Sequence, residues 1–124
     1  MNKEMIIKQL ESMLRTLDFI KEEQAYIKGK LSILLEHNVE ESMVIWAEEL
    51  QQQILNRESA VQLLKNDIVS IDRQVKLQSP KSSAIDEILS QKLKKFREQI
   101  VYLENNFMQW KHEVDTKLEM PGVN

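Results

Sequence analysis

The stretch Ile6–Glu36, IIKQLESMLRTLDFIKEEQAYIKGKLSILLE, decides the fold. Its apolar residues recur at alternating steps of four and three: Ile6, Leu10, Met13, Leu17, Ile20, Ile27, Leu31 and Leu34, with Gln24 as the one polar break. A mean step of about 3.5 residues is the seam of a supercoiled helix. A half-buried strand would alternate every second residue, and no segment of the chain does so.

The repeat returns twice. A second segment carries Met43, Ala47, Leu50, Ile54, Arg57, Val61, Leu64, Ile68, Ile71 and Val75. A third carries Leu89, Leu93, Phe96, Ile100, Leu103, Phe107, Trp110 and Val114. Two glycines and two prolines leave few places to turn. The breaks fall where such residues and capping residues gather. EHNVEES (Glu36–Ser42) offers a capping box between Asn38 and Glu41. LQSPKSSAIDE (Leu77–Glu87) offers Ser79, Ser82 or Ser83 as caps, Pro80 as a breaker, and Asp86 and Glu87 for a first turn. Pro121 and Gly122 stop the last helix.

The reading is an all-α fold, an antiparallel up-down-up three-helix coiled-coil bundle in the form of an elongated rod. One domain covers residues 1–120, with helices at about 3–36, 39–77 and 82–119 and a frayed tail at 121–124. Its shape resembles a spectrin-type repeat, in architecture alone. Pairing is expected where residue numbers sum to about 77 between the first two helices and about 160 between the last two, counting outward from the tight connections. Those registers bring Trp46, Trp110, Tyr26 and Leu31 toward one end. Gln24 and Arg57 are read as buried polar residues that fix the register, Arg57 needing a carboxylate or carbonyl partner, with Glu23 and Glu104 as candidates.

Phe19, Tyr26 and Ile33 follow one another at seven-residue spacing, and this flank is assigned to the core. Leu14 and Leu35 are harder to bury, as are Leu55, Leu63, Val69, Val101, Tyr102 and Met108. The last six are the candidate interface residues, because a contiguous exposed apolar group implies a partner or a second copy. Gly29 is read as a tolerated residue inside the first helix.

Several chemistries have no residues to carry them. Without cysteine there is no disulfide, thiol nucleophile or thiolate metal site, which suits a reducing, cytoplasmic setting. The two glycines cannot build a phosphate loop. No metal site, cofactor or small-molecule substrate is inferred. No run approaches the roughly 18 apolar residues of a membrane span. A net charge of −3 disfavours nucleic acid, although Lys92, Lys94, Lys95 and Arg97 cluster.

One stretch, WKHEVDT (Trp110–Thr116), carries a candidate for chemistry. His112, Glu113 and Thr116 resemble the histidine–acid–x–x–Thr element of sensor-kinase dimerisation helices. The resemblance implies a phosphorylated His112, Glu113 as base and Thr116 orienting water. It covers five residues, and histidine phosphotransfer domains place the histidine mid-helix in a four-helix bundle. The same spacing describes a solvated helix face, and that reading is preferred. The sequence therefore points to a non-enzymatic helical interaction or oligomerisation module, an adaptor or spacer with a protein partner or a second copy. Histidine phosphotransfer through His112 is the alternative.

Overall fold

The computed structural model describes residues 2–37, 40–77 and 83–118, and the side chains of all these except residues 83–86. They form three long α-helices, α1 (Lys3–Glu36), α2 (Glu41–Leu77) and α3 (Ser83–Leu118), with no strand among the described residues. At 1.5 Å per residue each helix is roughly 50–55 Å long. Asn2 caps α1: its side-chain oxygen accepts the Met5 backbone N–H at 2.8 Å. At the other end the His37 N–H donates to the Leu34 carbonyl, and His37 turns to extended backbone. The first turn of α2 hangs on the Glu40 carbonyl, which accepts the N–H groups of Met43 and Val44. The proposed Asn38 cap, the Pro80 break with its Ser79 and Ser82 caps, and the 121–124 tail lie outside the described residues.

The seam is the core. The buried residues of α1 are Ile6, Leu10, Met13, Leu17, Ile20, Gln24, Ile27, Leu31 and Leu34, the same series that the periodicity selects. In α2 the series is buried apart from half-buried Met43 and Arg57, and in α3 apart from half-buried Leu103. Leu10, Leu17, Ile27, Leu31, Ile54 and Ile68 have no exposed surface at all. Truncating any of these to alanine would cost about 2–5 kcal/mol.

Cross-helix contacts fix the directions. Lys3 reaches the Lys76 carbonyl, Lys65 pairs with Asp18 and Lys28 with Glu58, so α1 and α2 run antiparallel. Arg57 meets Asn106 and Gln53 meets Trp110, so α2 and α3 run antiparallel. Arg97 meets Gln9 and Lys111 meets Glu23, so α3 runs parallel to α1. The antiparallel contacts join residues whose numbers sum to more than the expected 77 and 160. Side chains on a helix lean toward its own N-terminus, so in an antiparallel pair each reaches past its backbone level and the sum rises.

The outer flanks differ from expectation. Phe19, Tyr26 and Ile33 are 50%, 60% and 59% exposed rather than core. Leu14 and Leu35, expected to be hard to bury, pack against the core with Ile7. The reason lies in the turn of the helix. Ile7, Leu14 and Leu35 stand three or four residues from Leu10, Leu17 or Leu31, so they share the inward face. Phe19, Tyr26 and Ile33 each stand one residue before a seam position, about 100° further round.

Candidate interaction surface

The exposed flank of α1 is a regular stripe. Met5, Phe19, Tyr26 and Ile33 occupy one seven-residue repeat, and Ser12 fills its remaining position. Met5 is 52% exposed, so all four large residues present about half their surface or more. Gln9 and Glu23, which meet α3, stand four residues after Met5 and Phe19. The stripe therefore lies on the side of α1 nearer α3. The Lys30 ammonium stands over the Tyr26 ring, 4.7 Å from its centre. This stripe was missed as an interface in the sequence. The available signal was its phase: a seven-residue repeat out of step with the seam cannot share the seam's neighbours.

The six residues singled out as interface candidates divide. Leu55 and Leu63 on α2 and Val101, Tyr102 and Met108 on α3 are exposed, whereas Val69 is half-buried. They do not form one face. Val101 and Met108 each follow by four a residue on the α1-facing flank of α3, at Arg97 and Glu104, so they adjoin the α1 stripe. Leu63 and Tyr102 flank the opposite groove, between α2 and α3.

That groove opens because α2 and α3 approach each other least closely of the helix pairs. Phe107 and Trp110 fill part of the gap, their ring centres 6.1 Å apart. The remainder is a cleft of about 330 Å3 lined by Gln24, Gln53, Asn56, Arg57 and Asn106 among apolar residues. Gln24 is 1% exposed, and its Oε1 has no partner among the described residues. Arg57 donates to Asn106 Oδ1 at 2.8 Å and lies 4.5 Å from the Trp110 ring centre. Neither Glu23 nor Glu104 holds it: Glu23 pairs with Lys111 at 3.2 Å. Burial pushes the Arg57 guanidinium below its usual range, and the nearby Glu113 charge opposes this. Trp110 donates its indole N–H to Gln53 Oε1 at 3.0 Å. Gln53 and Asn56, three residues apart on one face of α2, are the sequence signal for this polar lining.

The histidine motif is dispersed. His112 and Glu113 are exposed, and Glu113 lines a second, smaller cleft with Trp46, Trp110 and Lys117. The Thr116 hydroxyl donates to the His112 backbone carbonyl at 2.8 Å, a bond internal to the helix. His37 binds the Ile33 carbonyl through Nδ1 at 2.7 Å. Among the described residues no three His, Cys, Asp or Glu side chains come together as metal ligands.

The basic cluster also disperses. Arg97 bonds Gln9 of α1 and shares that flank with Lys94, three residues before it, while Lys92 and Lys95 stand on the other flank of α3. No single basic stripe results to follow a phosphate backbone. No helix of the described residues is long and apolar enough to cross a membrane.

The protein is thus a three-helix domain whose exposed apolar residues suggest an interaction surface. Comparison of the chain with known protein families, curated proteins and solved structures finds no match.

Proposed function

We propose that this protein is a non-enzymatic interaction module, an adaptor, spacer or oligomerisation unit of the cytoplasm that binds a helical partner through α1. The observation that carries the reading is the stripe of Met5, Phe19, Tyr26 and Ile33. Single exposed hydrophobes are ordinary on any surface. Four large ones on one face of one helix, repeating every seven residues, match what another helix packs against. The stripe spans residues 5–33, or roughly 40 Å and between seven and eight turns at the helical rise.

The test is capture from native lysate with wild-type protein and with a Phe19→Lys/Ile33→Lys variant, run beside light scattering. Loss in the variant of a partner held by the wild type, or of self-association, supports the module. Identical capture by both proteins, with both monomeric, contradicts it.

A further inference from the structure

We propose that the α1 stripe is a homotypic interface, on which the same stripe of a second copy of this chain docks antiparallel across a two-fold axis at Phe19. This rests on the interaction-module reading and names its partner. The stripe positions 5, 12, 19, 26 and 33 are symmetric about Phe19. In an antiparallel pair centred there, Met5 meets Ile33 of the second copy and Phe19 meets Phe19. Ser12, the only small residue of the stripe, meets Tyr26, so a gap faces a ring. A two-fold interface requires this property: if one residue meets another, the reverse contact must fit as well.

Charge agrees with the same register. Arg15 and Glu22 are exposed beside the stripe, and neither has an ion-pair partner among the described residues. The antiparallel pair sets Arg15 within one residue of Glu22 of the second copy, twice by symmetry. A parallel pair would put Arg15 of one copy and Glu22 of the other on opposite edges of the stripe, where they cannot meet.

Two further features find a use. Val101 and Met108 on α3 adjoin the stripe, because α3 runs beside α1 at an offset of 88 residues. Met108 is then level with Phe19 at the axis, and Val101 lies beside Ser12 where Tyr26 of the second copy arrives. Gly29 is the second. A Cβ added there meets nothing within 4 Å, so nothing inside the described chain calls for a glycine. It stands between Tyr26 and Ile33 and leaves a notch facing Lys8 of the second copy.

The absence of cysteine makes the register directly testable with single introduced cysteines on the full chain. Phe19→Cys should oxidise to a disulfide dimer. Ser12→Cys and Tyr26→Cys should each cross-link poorly alone and efficiently when mixed. A Phe19→Cys yield no higher than that of Gln52→Cys, an exposed position on α2, overturns the proposal. So does Ser12→Cys pairing with itself as readily as with Tyr26→Cys. In sedimentation, Arg15→Glu should weaken self-association about tenfold at low salt, and Arg15→Glu/Glu22→Arg should restore it. No change in the single variant overturns the register. A monomeric wild type that still captures a partner through the stripe overturns self-pairing and leaves the module reading standing.

Discussion

Arg57 of α2 lies against the ring of Trp110 of α3, its guanidinium carbon 4.5 Å from the ring centre, and the indole N–H in turn binds Gln53. This is the main polar tie between the two helices that approach each other least. It joins two elements whose backbones stand apart, so its loss is not compensated by closer packing nearby.

Trp110→Ala should therefore cost about 3–5 kcal/mol, the usual range for removing a buried tryptophan. Arg57→Lys should cost less, about 1 kcal/mol, because lysine keeps the charge but loses the flat stack and fork. Urea denaturation measures both. Equal effects would show that the guanidinium's stack and fork, rather than its charge, hold α3 in place.

Gln24 leads to the opposite expectation. Its buried Oε1 lacks a partner among the described residues, and an unmade buried hydrogen bond costs about 1–3 kcal/mol. Gln24→Leu should raise the thermal midpoint. Destabilisation instead would mean that an ordered water in the cleft satisfies the amide.

The seam was legible because it depends only on helical period. Nine positions of α1 follow from spacing alone, and all nine are buried. The flanks were not, because the outward angle of Phe19 and the inward angle of Leu14 differ only in phase relative to that seam. Sequence reading that counts hydrophobes without that phase assigns them the wrong way round. The partner of Arg57 was also hidden. Of the carboxylate or carbonyl expected, both named candidates are acids, whereas the structure supplies the amide carbonyl oxygen of Asn106 and the ring of Trp110. The cleft depends on how far α2 stands from α3, which no local pattern encodes.

Gly29→Ala should stabilise the isolated bundle by up to about 1 kcal/mol, since alanine is the better helix former and its Cβ enters open space. The circular dichroism melting curve at low concentration reads this directly. A lower midpoint would mean that the site is more crowded than the structure shows.

His112 should remain unmodified when the protein is incubated with small phosphodonors or a histidine kinase. Thr116 bonds its own helix, and Glu113 lines the Trp46 cleft, which leaves no assembled group beside the imidazole among the described residues. Appearance of an acid-labile phosphoryl group that His112→Gln abolishes would replace the interaction reading with phosphotransfer.

The most direct test of the central claim is the mass of the wild-type protein in solution across a wide concentration range, beside Phe19→Lys/Ile33→Lys. The account predicts a wild type that rises from one chain to two, and a variant of unchanged helicity that stays at one. A wild type that remains a single chain throughout, or a variant that dimerises as well, would contradict the pairing of α1 with itself.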